Sequence, residues 1–315
     1  MARAFLFPGQ GSHEVGMGAD LLRSDEWVRD QVRRVSEKTG EDLERICLRG
    51  PERQLMQAAR VQPLMTIISL GYAHRLAERG ITPDVVAGHS LGEIPALAVA
   101  GVVSPEHAVA VAFMRGILMD EAAAANPGGM AAVFLPLAEV EALIDRLGMA
   151  GRIHIANDNA PTQVVVSGET DALADFAHRT NGERPGCCKP LRISGPWHTP
   201  LLNEACSRFE AWLKDIPFGA PRIPLIANAT ATAETNPARL RHLAARQLIG
   251  RVHWRETMEE LRSRQVTHLI EIGPGRVLAG LARLNGFGNE TTARGVDSLR
   301  AVDQVAADCS GIGGQ

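Results

Sequence analysis

The chain has 315 residues, 33 basic side chains against 36 acidic ones, and a formal net charge of −3. Apolar residues make up 45% and charged residues 22%, which excludes a disordered chain and fits one large α/β domain or two ordinary ones. The slightly acidic balance argues against nucleic acid or an anionic membrane as a partner. Five cysteines, Cys47, Cys187, Cys188, Cys206 and Cys309, follow no metal-type spacing and read as reduced thiols. The N-terminal apolar run is too short for a signal peptide, and no stretch nears the roughly 20 apolar residues of a membrane span. A cytoplasmic location is the expectation. The bias of 30 Arg to 3 Lys is taken as a trait of the source, not of the chemistry.

Ala2–Phe7 reads as a first strand, closed by Pro8-Gly9-Gln10-Gly11-Ser12. Pro63 stands where a helix would begin and Gly80 where it would stop, with Leu64, Ile67, Ile68, Gly71 and Leu76 at roughly helical spacing. Asp84–Ala87 is a short buried strand, Leu91–Ala100 an apolar helix, and Ala108–Ala125 a further helix. The middle of the chain changes character. Strands at Met130–Phe134, Ile153–Ala156, Gln163–Ser167 and Cys188–Ile193 alternate with helices at Leu137–Leu147 and Thr170–Thr180. That β-α-β-β-α-β order marks a ferredoxin-like module, here an insertion over 128–195 between the two parts, 1–127 and 196–315, of a larger α/β domain. The α/β pattern resumes with helix Thr199–Ile216, strand Ile223–Ala227, helices Pro237–Ile249 and Trp254–Arg264, strand Thr267–Ile272 and helix Arg276–Asn285. The glycine-rich tail, Cys309–Gln315, is expected to fray.

Gly88-His89-Ser90-Leu91-Gly92 fits the G-x-S-x-G pattern, with a strand running in and a helix running out. Such a turn lifts a serine hydroxyl off the sheet and puts the next amide, that of Leu91, at a helix start where it can steady an oxyanion. The plainer reading is a glycine-flanked turn with a bystander serine. A serine nucleophile needs a base. Among ten histidines, His198 stands out in Ser194-Gly195-Pro196-Trp197-His198-Thr199-Pro200, a strand-to-helix loop where an α/β site would hold one. His89 is the next candidate, although adjacent side chains at a tight turn diverge. Arg115 lies in an apolar helical segment, and a guanidinium there is either a carboxylate grip or a structural ion pair.

Five blocks in order resemble the family of malonyl-CoA:acyl carrier protein transacylases and polyketide synthase acyltransferases. They are Phe7-Pro8-Gly9-Gln10-Gly11-Ser12, Gly88-His89-Ser90-Leu91-Gly92-Glu93, Arg115-Gly116 with Met119, Gly195-Pro196-Trp197-His198, and Glu271-Ile272-Gly273-Pro274-Gly275. The resemblance covers the chain from Phe7 to about Leu284. It implies an α/β-hydrolase-like large domain with an inserted ferredoxin-like subdomain. It implies Ser90 as acylated nucleophile, His198 as base without a triad carboxylate, and the Gln10 and Leu91 amides as oxyanion hole. Arg115 would hold the free carboxylate of the acyl group, Gln247 would orient His198, and Gln62 would line the pocket. His13 departs from the glutamine usual after Gly-Gln-Gly-Ser. Trp197 beside the base leaves less room for an α-branch and resembles the malonyl type.

The resemblance implies malonyl-CoA as donor and a holo-acyl carrier protein as acceptor. The phosphopantetheine belongs to the partner, so this chain would need no cofactor and no metal, and would act as a monomer. A second reading is a hydrolase of the same fold that clears stalled acyl groups, and a third is a non-catalytic docking subunit. The arginines from Arg239 to Arg264 could meet an acidic carrier protein or coenzyme A phosphates. Solvated helix faces explain them equally well, since Glu256, Glu259 and Glu260 lie among them.

Overall fold

A computed structural model describes residues 2–288 and 291–310. Strand β1 (Ala2–Phe7) is followed by helices α1 (Ala19–Ser24), α2 (Glu26–Thr39), α3 (Leu43–Arg49), α4 (Glu52–Leu55) and the long α5 (Ala58–Glu78). Strand β2 (Val85–Gly88) runs through a 3₁₀ turn at Ser90–Gly92 into α6 (Glu93–Val99) and α7 (Pro105–Ala125). Then come β3 (Gly128–Val133), α8 (Leu137–Arg146), β4 (Ile153–Ala160), β5 (Gln163–Glu169), α9 (Thr170–Glu183) and β6 (Cys188–Pro190). The chain continues with α10 (Asn203–Leu213), β7 (Leu225–Ile226), β8 (Ala233–Glu234), α11 (Pro237–Arg246) and α12 (Trp254–Ser263). It ends with β9 (Val266–Ile272), α13 (Val277–Leu284), β10 (Thr292–Val296) and α14 (Leu299–Ser310).

The large sheet has the order β10-β9-β1-β2-β7-β8. Its strands pair in parallel except β8, which runs antiparallel to β7. Ala4, Phe5, Leu6 and Phe7 of the central β1 are all buried, as a strand covered by helices on both faces requires. The small sheet has the order β4-β5-β3-β6 with every neighbour antiparallel. Its own core forms where Val140, Leu143 and Ile144 of α8 and Phe176 of α9 meet Val164 and Val166. The expected architecture is therefore present: a large α/β domain and a separate antiparallel subdomain. Among the described residues, no helix is long and apolar enough to cross a membrane.

Several boundaries differ from the sequence reading, each for a local reason. Helix α5 starts at Ala58, so Pro63 lies inside it rather than at its head. The amides of Ala58 and Ala59 donate to the Asp120 carboxylate of α7, at 3.0 and 2.8 Å, and this distant cap fixes the earlier start. Helix α7 begins at Pro105 because the Ser104 side chain accepts from the His107 amide. Strand β4 runs past the expected end at Ala156 to Ala160 through Asn157-Asp158-Asn159, all three buried. Strand β6 stops at Pro190 rather than Ile193, although the Leu191 amide still donates to the Met130 carbonyl at 2.9 Å. The helix expected from Thr199 divides into a 3₁₀ turn, Pro200–Leu202, and α10, and α11 ends at Arg246 rather than Ile249. Cys309 lies within α14, and residues 311–315 of the expected frayed tail fall outside the described residues. Helices α1 to α4, β10 and most of α14 lay in stretches the sequence reading left unassigned.

Helices α5 and α7 touch main chain to main chain. A Cβ on Gly116 would stand 2.4 Å from the Ala58 carbonyl oxygen and 2.7 Å from the Ala59 Cα. Neither neighbour can move without shifting a helix. Gly116→Ala should therefore lower stability by about 1–3 kcal/mol, the usual range for overpacking, as read by urea denaturation. Wild-type stability in that variant would mean that the two helices are not so close.

Candidate active site

Loops from the carboxyl ends of four adjacent strands meet above the large sheet. They carry Pro8–Ser12 after β1, His89 and Ser90 after β2, Asn228 after β7 and Gly273–Gly275 after β9. Open parallel sheets place their ligands there. The turn after β2 is very tight. A Cβ on Gly88 would lie 2.0 Å from the Gly92 carbonyl, and one on Gly92 would lie 1.9 Å from the Phe7 carbonyl oxygen. Only glycine fits either place, so the elbow seats directly on β1. Ser90 is left with φ 50°, a left-handed backbone that costs a non-glycine residue of order 1–3 kcal/mol.

Ser90 Oγ lies 2.8 Å from His198 Nε2. His198 is 3% exposed and has a left-handed backbone too, φ 62°. Its Nδ1 lies 2.8 Å from the Gln247 carbonyl oxygen and 3.0 Å from that of Gly250. Carbonyls only accept, so Nδ1 carries the proton and Nε2 is left as the acceptor facing the serine. Gln247 thus orients the imidazole through its main chain. Its side chain does other work: Nε2 donates to the Ser90 carbonyl at 2.9 Å, and Oε1 accepts from Arg115 at 3.0 Å.

Arg115 is 1% exposed, yet no carboxylate lies within ion-pair distance of it among the described residues. Its guanidinium donates to Gln62 Oε1 at 2.8 Å, to Gln247 Oε1 and to Ser90 Oγ at 3.3 Å, while its Nε has no partner. Burial pulls its pKa down to about 10, against the opposing field of Glu93. Burial, and then the Arg115 charge, push the His198 pKa down to about 3. The base is thereby held neutral.

The remaining candidates separate clearly. Gln10, Trp197 and Arg115 line one cavity with Ser90 and His198, of about 270 Å³. Gln62 sits behind it, fully buried, with its Nε2 3.4 Å from Gln10 Oε1. Leu91 follows Ser90 in the 3₁₀ turn. His89 turns away to Asn159 Oδ1 at 2.8 Å and stacks edge-on against Trp254. His13 accepts from the Gly11 amide at 3.2 Å and does not line the cavity. Most of the arginine run is paired within the chain, while Arg246 is exposed. Arg239 pairs with Glu234, Arg251 with Glu141, Arg255 with Asp158 and Arg264 with Glu260, while Arg241 and Arg262 donate to the carbonyls of Ile216 and Asn285.

Two things escaped the sequence reading. The inserted subdomain supplies a wall of the cavity, with Met130, Asn159, Gln163 and Val165. Their signal was alternation in β3 and β5, which reads only as strand. Asn228 and Glu93 also sit beneath the serine. Asn228 Oδ1 accepts from the Ser90 amide at 2.7 Å, and Glu93 Oε2 accepts from the Asn228 main-chain and side-chain nitrogens. Glu93 closes the Ser90 block, but nothing in its spacing distinguishes it from a helix-start carboxylate.

A serine at a strained elbow, a neutral histidine and amides at a helix start are the parts of a serine acyl-transfer site on an α/β sheet. Comparison with known proteins agrees. A family model described as an acyl transferase domain matches residues 4–285. The malonyl CoA-acyl carrier protein transacylase of Escherichia coli (strain K12) is 35% identical over 284 residues, covering 89% of this chain and 91% of that protein. The crystal structure of an acyl-carrier-protein-S-malonyltransferase from Bartonella henselae superposes with a TM-score of 0.90 at 33% identity, covering 98% of this chain and all of that one. A malonyl-transacylase bound to its type II polyketide synthase acyl-carrier protein gives 0.89 at 32%, with 98% and 100% covered. The chain belongs to the acyl transferase domain family.

The low His198 pKa has two consequences. Serine acylation should stay flat with pH from about 8 down to 5, because the neutral base persists well below the usual 6.5. Stability should fall as pH drops below 6.5 toward 3, since the unfolded chain takes up a proton there that the native site refuses. Single-turnover acylation across pH checks the first, and denaturation across pH the second. An acylation midpoint near 6.5 would mean that the histidine is not held in a dry site.

Proposed function

We propose that the protein moves a malonyl group from malonyl-CoA, through an ester on Ser90, to the phosphopantetheine thiol of an acyl carrier protein. The observation that carries this reading is Arg115, a buried guanidinium 3.3 Å from Ser90 Oγ with no carboxylate of its own. An acyl group ending in a carboxylate would supply the missing anion as it enters.

In this reading the Ser90 hydroxyl attacks the thioester carbonyl while His198 Nε2 takes its proton. The Gln10 and Leu91 amides receive the oxyanion. The carbon–sulfur bond breaks, and His198 returns the proton to the departing coenzyme A thiolate. The carrier's thiol then attacks the ester, with His198 again taking and returning the proton, so the kinetics are ping-pong. No metal or cofactor enters these steps. Trp197 closes the acyl pocket and favours malonyl over a branched extender. The enzyme acts as a cytoplasmic monomer, with no role for nucleic acid or membrane. A hydrolase would use the same serine with water as acceptor, but a carboxylate grip gives it little advantage.

Mass spectrometry after mixing with malonyl-CoA tests the nucleophile. Wild type should carry one malonyl group and Ser90→Ala none, with its fold intact. An adduct on the variant would move the nucleophile elsewhere, and loss of the wild-type adduct to water would favour the hydrolase.

Transfer kinetics with malonyl-CoA and acetyl-CoA test the grip. Arg115→Ala should lower the malonyl-to-acetyl preference roughly ten- to a hundredfold, the scale of a lost charge-assisted contact of about 1.5–3 kcal/mol. Arg115→Lys should recover only part, since an ammonium lacks the planar fork. An equal fall for both acyl groups would make Arg115 structural.

A further inference from the structure

Beneath Ser90 lies a bonded pair that touches no reacting atom. Asn228 follows β7, and its carboxamide bridges the elbow from behind. Its Oδ1 accepts from the Ser90 amide at 2.7 Å, and its Nδ2 donates to the Gly88 carbonyl at 2.5 Å. One side chain therefore holds the peptide groups on both sides of His89. This is what a neighbouring strand would do, at a place where the left-handed Ser90 has left the sheet. The amide of Asn228 can serve in only one orientation. Gly88 offers only an acceptor there, and a Glu93 carboxylate oxygen accepts from the same Nδ2 at 2.5 Å and from the Asn228 amide at 2.6 Å. A flipped carboxamide would set oxygen against carboxylate and N–H against N–H.

Glu93 is 3% exposed and meets partners from several elements. Burial holds its carboxyl above the usual range, against the two Asn228 bonds, a Gln247 side-chain bond and the Arg115 charge. It is also the carboxylate whose field opposes the desolvation of Arg115. The Glu93 carboxyl is thus met from three other elements: Asn228 after β7, Gln247 after α11 and Arg115 of α7.

We propose that Glu93 and Asn228 are a positioning pair for the nucleophile: Glu93 locks the Asn228 carboxamide, and Asn228 holds the Ser90 backbone in the strained conformation that points its hydroxyl at His198. The proposal rests on Ser90 being the acylated residue. Asn228 meets no substrate and makes no bond to Arg115, so its loss should slow the chemical step and leave recognition by Arg115 unchanged, whereas Glu93 also acts on the Arg115 charge.

The test is single-turnover malonylation, followed by rapid quench and mass spectrometry, on the full chain. Asn228→Ala should slow acylation at saturating malonyl-CoA about a hundredfold, as for a nucleophile misplaced by about an ångström. KM and the malonyl-to-acetyl preference should stay within about twofold. Glu93→Gln, which keeps the shape but gains a donor that can oppose Asn228, should slow acylation about tenfold. Glu93→Gln combined with Asn228→Ala should be no slower than Asn228→Ala alone, because Glu93 acts through Asn228. Acylation by Asn228→Ala within about twofold of wild type would overturn the proposal, as would losses that multiply in the double variant. A raised KM at unchanged kcat would also overturn it. If Asn228→Ala lacks a cooperative melt, Glu93→Gln decides alone, and an unchanged kcat sinks the idea. A wild type that forms no adduct at Ser90 would instead defeat the transfer reading. The pair would then be tested by the rate at which a fluorophosphonate labels Ser90, which should fall in the same order of variants.

Discussion

The site depends on one contact of main chain with main chain. Gly92 lies against the carbonyl of Phe7, and Gly88 lies against the carbonyl of Gly92. This seats the turn after β2 on the end of β1, closer than any side chain would permit. The serine between the glycines has no room to continue the strand, and its backbone adopts φ 50°. The strain is held by the packing around it, including the Asn228 bonds from β7 and the Gln247 bond to the Ser90 carbonyl. Loops from different parts of the chain are thereby committed to one geometry around one hydroxyl.

The second constraint is electrostatic. Arg115 is buried beside that hydroxyl with amide partners in place of an anion. Amide oxygens accept from its terminal nitrogens, its Nε has no partner, and the Glu93 field opposes its charge without an ion pair, so a positive potential reaches the site in its resting state. That potential, added to burial, keeps His198 neutral. The same charge which would draw in a carboxylate therefore also keeps the base unprotonated. No triad carboxylate is needed. Carbonyl oxygens of Gln247 and Gly250 set the tautomer instead, with no opposing charge beside the imidazole.

The cleft itself belongs to both parts of the chain. Strand β4, still paired with β5, also bridges at Asn157 to Val252 of the large domain. Beside that bridge, Asp158 binds Arg255 at 2.9 Å, and Asn159 meets His89 and Asn285. These contacts tie the wall formed by Met130, Gln163 and Val165 to the face that carries Ser90. His89, a rival for the base when only its neighbour was considered, is one of those ties.

What the sequence by itself determined is whatever local backbone chemistry dictates. Alternation and apolar runs marked most strands of both sheets, though not β8 or β10, and the β-α-β-β-α-β order marked the small one. The glycines around Ser90 marked the elbow, because a turn that tight excludes any Cβ. The tertiary structure decided what depends on residues far apart in the chain. It started α5 ahead of Pro63, because Asp120 caps it from α7. It carried β4 through Asn157-Asp158-Asn159, because the large domain pairs with those polar groups. It gave the Gln247 carbonyl the base and the Gln247 side chain Arg115, a division invisible in a residue name. It brought Asn228 under Ser90 across 138 positions of sequence, where a single asparagine after a short strand carries no mark of its own. Hydrogen bonds are satisfied by whichever group the fold delivers, and spacing along the chain does not record that delivery.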